Sequence, residues 1–265
     1  MFRIAHAAAL TDEDRVPFTH GVALAHTSGA ELFAVHANRA DDAAERMLDA
    51  GTILVHWGDD AARVPFEKMV HQCCDDPVDT VLDALRKLKA DLVVAATHQR
   101  HGIMRALLGS KAEAIAHNVE VPTLLVPVGI DGFVANDSGT IDLHRVLIPI
   151  GDPEAAQAAV DAAATLGRMA GAKSVEFVLL HVGDPADTPE VNVPVVAGWT
   201  VSSINVTRVK LEDAVISRAA DSCLVVMATR GHDSVGDVLL GSHTDRVLHR
   251  VTCPVLSVPV PRPAS

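Results

Sequence analysis

The stretch MATRGHDSVGDVLLGSHTDR, Met227–Arg246, gathers the residues of this 265-residue chain whose types and spacing suit chemistry. An apolar run ends at Thr229, Gly231 lets the backbone turn and come close to a ligand, and Gly241-Ser242 opens a helix-like segment. Unpaired N–H groups at a helix start, aided by the helix dipole, form an anion site. Ser242 adds a hydroxyl, and Arg230, His232 or His243 adds charge. The chemistry this suits is the capture of a small phosphate compound, against the plainer reading that Gly241-Ser242 only caps a helix.

Other chemistries find less support. There is no Gly-x4-Gly-Lys-Ser/Thr loop, no Gly-x-Gly-x2-Gly after the first apolar run and no Gly-x-Ser-x-Gly elbow. An enzyme is therefore not expected beyond slow hydrolysis of a bound triphosphate. Of the 14 histidines, His98, His101, His232, His243 and His249 fall in or near loops and His71 precedes Cys73 and Cys74, but no pair has the spacing of a zinc site, so no metal is expected. His36 and His181 occupy equivalent strand ends and read as hydrogen-bonded structural residues. Cys223 and Cys253 read as small buried hydrophobes, and the adjacent Cys73-Cys74 as an oxidant sensor only if exposed.

The loop's position depends on elements that occur twice. LLGSKAEAIAHNVEVPTLLVPV (Leu107–Val128) aligns without gaps on LLGSHTDRVLHRVTCPVLSVPV (Leu239–Val260), 132 residues later, with 11 of 22 positions identical. Upstream, LVVAAT aligns on LVVMAT at the same offset, and weaker echoes pair FRIAHA with HRVLIPI and ELFAVHA with VEFVLLHV. Each copy alternates short apolar runs with helix-like stretches, the pattern of βαβ units and a parallel sheet. Strands are expected near Arg3–Ala7, Leu32–Ala37, Phe66–His71, Asp91–Thr97 and Thr123–Val126, then over Arg145–Ile150, Val175–Val182, Trp199–Val206, Cys223–Thr229 and Pro254–Val258. Asp41–Asp49, Pro153–Gly171, Leu211–Ala220 and Thr244–Arg250 read as helices, and GDPADTPEVNVP as the loss of one helix from the second copy. The expected fold is α/β: two tandem, open-twisted, parallel five-stranded sheets with flanking helices, Rossmann-like, over residues 1–127 and 144–265. Residues 128–143 form a Gly/Asp/Asn-rich linker whose FVANDSGTID core suits a small hairpin. The last strands, PTLLVPV and PVLSVPV, are apolar edges that need cover, which the two copies give each other as an internal pseudo-dimer. Pairing between chains is left open.

Composition narrows the partners. Lys+Arg 22 against Asp+Glu 34 gives a net charge of −12, which opposes a nucleic-acid partner but says little about one phosphate pocket. No apolar stretch is long enough to span a bilayer, MFRIAHAAALTDED makes a poor secretory signal, and four cysteines without a CxxC pair suit a reducing cytoplasm.

With Ala228-Thr229-Arg230-Gly231, nine residues, then Gly241-Ser242, together with LVVMATRG, the CPVLSV ending and SGTIDLHRVLIPI, nearly the whole chain resembles the tandem members of the universal stress protein family. That family's nucleotide pattern is Gly-x2-Gly-x9-Gly-Ser/Thr after the fourth strand. The second copy replaces only the first glycine, by Ala228. The first copy, Ala96-Thr97-His98-Gln99 and then Gly109-Ser110, keeps only the last. The resemblance implies ATP as ligand of the second copy, with Gly231, Gly241, Ser242 and His243 on the phosphates, Thr229 beside the ribose and Val182 and Met227 near the base. It further implies a nucleoside contact from Asp152, one residue later than the pattern has it. Thr97, Gln99, Gly109 and Ser110 would mark a degenerate equivalent, since Gln99 puts a side chain where backbone should approach phosphate. Two functions follow as expectations: a stress-response module that binds adenine nucleotide, or a scaffold without nucleotide that acts by dimerisation or on another small molecule.

Overall fold

The computed structural model describes residues 1–38, 42–72, 77–98, 111–229 and 242–260. Strands β1 (Arg3–Ala7), β2 (Glu31–Asn38), β3 (Phe66–Gln72), β4 (Leu92–Thr97) and β5 (Thr123–Pro127) build the N-terminal half. Strands β6 (Arg145–Ile150), β7 (Val175–Val182), β8 (Trp199–Val206), β9 (Leu224–Thr229) and β10 (Val255–Pro259) build the C-terminal half. They join in one sheet ordered β3-β2-β1-β4-β5-β10-β9-β6-β7-β8. Every neighbouring pair is parallel except β5 with β10. The two expected five-stranded sheets are thus halves of one sheet, fused edge to edge.

Runs such as LVVAAT and RVLIPI are apolar at successive positions because helices cover both faces of the sheet. On one face α1 (Arg15–Ser28) and α6 (Pro153–Met169) share a single core that spans both halves, with Phe18 and Val22 meeting Leu124, Leu256 and Val160. Alanines at 156, 159 and 163 give α6 a small-residue face in that core. On the other face α4 (Pro77–Leu88) and α5 (Lys111–Asn118) cover the first half through Leu82, Leu85 and Ile115. Helices α7 (Leu211–Ala219) and α8 (Ser242–Leu248) cover the second through Val215, Val247 and Leu248.

The sequence repeat is also a repeat of geometry. The β4–β5 ladder, Val93↔Thr123 to Thr97↔Pro127, recurs at the 132-residue offset as Val225↔Val255 to Thr229↔Pro259. The weaker echoes are real equivalences too. Arg3 pairs with Glu31 at 3.2 Å, and Arg145 pairs with Glu176 at the matching place. His36 Nδ1 lies 2.7 Å from Ala8 O, and His181 Nδ1 lies 3.2 Å from Ile150 O. At the seam the register is Leu125↔Val255, Leu124↔Leu256, Thr123↔Ser257. The same offset exchanges the outer two pairs and returns the central one to itself, so a pseudo-two-fold axis passes between Leu124 and Leu256. This is an isologous interface inside one chain, and it buries both apolar edges.

The halves differ where loops cross the surface. The expected helix Asp41–Asp49 is shorter, α2 (Ala43–Arg46), because Met47 is extended; a second helix, α3 (Ala50–His56), then starts where Asp49 caps the Thr52 N–H. The C-terminal half has only a 3-10 turn, Pro185–Asp187, and a chain held on α6 by the Gln157 amide, bonded twice to the Asn192 backbone.

Between β5 and β6 the chain doubles back, with Val134 bridged antiparallel to Ile141, and docks on the first half. Trp57 Nε1–H donates to Asn136 O at 3.1 Å, and its ring lies under Gly139, whose φ of 67° and lack of a Cβ both suit the site. Fully buried His20 donates from Nδ1 to Val16 O at 2.8 Å and accepts the Phe133 N–H on Nε2 at 3.1 Å. Burial pulls its pKa down to about 4, against the weaker upward pull of the Val16 carbonyl.

Candidate functional site

Open sheets hold ligands where the strand order reverses, beyond the carboxyl ends of the strands. The strand order places those crevices between β1 and β4 and between β6 and β9, and because the halves meet antiparallel they face opposite edges of the sheet. The β6–β9 ladder runs only over Val146↔Leu224 and Leu147↔Val225, which leaves the last residues of both strands unpaired across the crevice.

On the C-terminal edge, Asp152 follows β6, Val182 ends β7 and Thr229 ends β9, three strand ends on adjoining strands. Asp152 caps α6, its Oδ1 accepting the Ala155 N–H at 3.0 Å, so its position one residue late has a local cause. Thr229 Oγ1–H donates to Val258 O at 3.4 Å, and Thr229 O accepts the Val260 N–H at 3.0 Å. Met227 is buried among α7 and α8 residues, so its side chain belongs to the core. Ala228 lies inside β9, paired with Val258, and is not among the described residues of positive φ. His181 is buried, its Nε2 lying 3.1 Å from Asp184 O, and so ties the end of β6 to the turn after β7.

His243, on α8, is engaged elsewhere: its Nδ1 lies 3.1 Å from Glu212 Oε2, while Arg246 donates to Glu212 Oε1 at 3.0 Å. Glu212 is a buried carboxylate in the first turn of α7. Its own backbone N–H, then His243 and Arg246, hold it below the usual carboxylate range against the opposing effect of burial. This clamp fixes the start of α8 to the start of α7. No local sequence signal announces it, because the partners lie more than 30 positions apart. Arg230, Gly231 and Gly241 lie outside the described residues, as do the side chain of Ser242 and the degenerate-site residues Gln99, Gly109 and Ser110. Cys73 and Cys74 also lie outside them.

The N-terminal edge is built differently. Thr97 is buried at the end of β4, and the β1–α1 connection spans residues 8–14 where its counterpart spans only 151–152. That longer connection carries Glu13, which meets His98 Nε2 at 2.8 Å across the crevice, and Asp14, which folds inward.

Among the described residues no group of three or more His, Cys, Asp or Glu could hold a metal ion, and no helix is long and apolar enough to cross a membrane. The repeated sheet with its two-fold seam defines a tandem, doubly wound α/β protein. The model of the universal stress protein family matches residues 1–127 and 200–259, and the chain belongs to that family. A universal stress protein from Archaeoglobus fulgidus shares the fold at TM-score 0.62 and 18% identity, with 97% of this chain and 98% of that one covered. A functionally unknown protein from Pseudomonas aeruginosa matches at TM-score 0.64 and 12% identity, covering 97% and 92%. No curated protein matches in direct sequence comparison.

Proposed function

We propose that the chain is a stress-response module that binds an adenine nucleotide, ATP, at the carboxyl edge of a C-terminal domain of residues 144–265. Residues 1–127 act as a non-binding partner domain and residues 128–143 as the bridge. Backbone of Gly231, Gly241 and Ser242 takes the phosphates, and Thr229 lies beside the ribose. Val182 and the main chain of Met227 border the base, and Asp152 lies on the nucleoside side. The single observation that carries the reading is Ala228. The one motif glycine that is missing falls inside β9, where an extended backbone accepts a methyl group without strain, so the departure from the pattern carries no conformational cost. His243 contributes through the clamp to Glu212, which sets the start of the helix following the loop. The module is cytoplasmic in this reading, in keeping with the described cysteines, Cys223 and Cys253, both unpaired.

Isothermal titration of the full chain with ATP, together with chromatography of any nucleotide released on denaturation, tests the proposal. One ATP per chain is expected, lost in Gly241→Val, which blocks backbone approach to phosphate. No released nucleotide and no heat at millimolar ATP would overturn the reading in favour of a scaffold that acts by dimerisation or on another small molecule.

A further inference from the structure

The crevice of the N-terminal half contains an anion of its own. After β1 the chain turns through Ala8–Asp14, with Leu10 in the left-handed region at φ 62°. A left-handed residue in such a turn aims successive N–H groups into one concavity, a backbone nest for anions. Ala9, Leu10 and Thr11 donate to Asp14 Oδ2 at 2.9, 2.7 and 3.4 Å, and Ala9 also reaches Oδ1 at 3.1 Å. Asp14 precedes α1 as its N-cap residue, yet its side chain caps no N–H of α1; it closes a capping box with Thr11 at the start of the 3-10 turn Asp12–Asp14 and reaches further back to Ala9 and Leu10. Its residue is 3% exposed.

A second feature points at the same spot from below. His6 on β1 is 1% exposed, donates from Nδ1 to Val94 O at 3.2 Å, and presents Nε2, which has no hydrogen-bond partner, 3.6 Å from Asp14 Oδ1. Nearby, Glu13 meets His98 Nε2 at 2.8 Å, and Arg46 from α2 donates to Leu10 O at 3.4 Å. Burial pushes the Asp14 carboxyl up, but His6 and the Ala9 and Leu10 amides outweigh it and hold the group below the usual carboxylate range. A buried carboxylate facing three amides and an imidazole occupies the position a bound oxyanion would take at this end of the sheet.

We propose that the Ala9–Thr11 turn is an oxyanion site whose resident ligand is the chain's own Asp14 carboxylate, so that the N-terminal half is liganded from within and admits an external oxyanion only when that carboxylate is removed. The site stands apart from the C-terminal nucleotide reading: it concerns the other edge of the sheet and its probes contain no nucleotide. It also assigns a different cause to the degeneracy of this half. Restoring glycine at position 99 would leave the nest filled.

The experiment compares wild type and Asp14→Ala in sodium sulfate and sodium formate against sodium chloride at equal ionic strength. It reads the unfolding midpoint and the amide resonances of Ala9, Leu10 and Thr11. In Asp14→Ala the midpoint is expected to rise in sulfate and formate, and all three amides to move together and saturate at millimolar anion; in wild type those amides stay unmoved. Anion-independent midpoints with unmoved amides in the variant, or saturable sulfate shifts of the same amides in wild type, overturn the proposal. If Asp14→Ala does not fold, a pH titration of wild type keeps the question decidable. The three amides are expected to follow one shared transition below the usual carboxylate range, and amides that ignore it overturn the assignment.

Discussion

Acidification should weaken this protein well above the pH at which carboxylates titrate, and His20 is the reason. Its ring is fully buried between α1 and the linker, bonded to Val16 O and the Phe133 N–H, and its pKa falls from 6.5 to about 4. Between those values the unfolded chain holds a proton that the folded chain refuses, so this contribution is complete above pH 6.5 and is lost as pH drops toward 4. At about 1.4 kcal/mol per tenfold change in proton affinity the whole window is worth about 3 kcal/mol, most of it gone by pH 4.5. That is a large part of an ordinary folding free energy of about 5–15 kcal/mol. The carboxylates Asp14, Asp59 and Glu212, whose values lie below 3.8, 3.8 and 4.5, weaken only at lower pH and leave the window to His20. Urea unfolding followed by tryptophan fluorescence at pH 7 and pH 4.5 measures the effect. The chain has two tryptophans and no tyrosine, Trp57 against the linker and Trp199 on the far edge strand. His20→Gln keeps an acceptor for Phe133 but cannot titrate, so its stability should fall by about 2–3 kcal/mol less than wild type across that interval. Parallel losses in the two proteins would refute the argument.

Three further outcomes follow from the geometry. Ala228→Gly restores the family pattern but relieves no strain, because position 228 is extended; ATP affinity by calorimetry should change less than about twofold and stability should drop by about 0.5–1 kcal/mol, while a tenfold tightening would contradict the reading of β9. Leu124→Ala and Leu256→Ala sit on the pseudo-two-fold and are both fully buried; each should cost about 2–5 kcal/mol, with the double variant departing from the sum because the two residues share one packing site. Gly139→Ala would place a Cβ 2.6 Å from the Trp57 ring at a φ of 67°; a loss of about 1–3 kcal/mol and altered Trp57 emission are expected, and an unchanged protein would show that the hairpin is not seated on that ring.

The fold was legible because duplication wrote it twice. The identity between Leu107–Val128 and Leu239–Val260 fixed the equivalence of β5 with β10, and their apolar character already required mutual cover. Even the weak FRIAHA/HRVLIPI echo proved true, since Arg3–Glu31 and Arg145–Glu176 are one ion pair made twice. What stayed hidden was contact between distant positions. The ring of His20 is bonded 113 positions away at Phe133, and Glu212 collects partners from α8. Asp14 was hidden for another reason: Thr11-x-x-Asp14 reads as an ordinary capping box, which the structure forms, and nothing in that pattern says that the carboxylate also reaches the Ala9 and Leu10 amides.

The same seam makes each half depend on the other for cover. Leu256 and Val258 of β10 are buried in the α1–α6 core and Val255 in the core beneath α7 and α8, with β5 covering the strand's edge, so the C-terminal half alone would expose an apolar edge strand and the open flank of α6. The N-terminal half supplies that cover through its β5 and α1 surfaces. At its carboxyl edge the described residues of the first copy have a longer β1–α1 turn, an inward carboxylate and an ion pair between Glu13 and His98. Ala9 and Thr11 are exposed and Leu10 is half-buried, so water can meet their amides; the group that depends on the turn is Asp14, a carboxylate 3% exposed that finds its hydrogen bonds there.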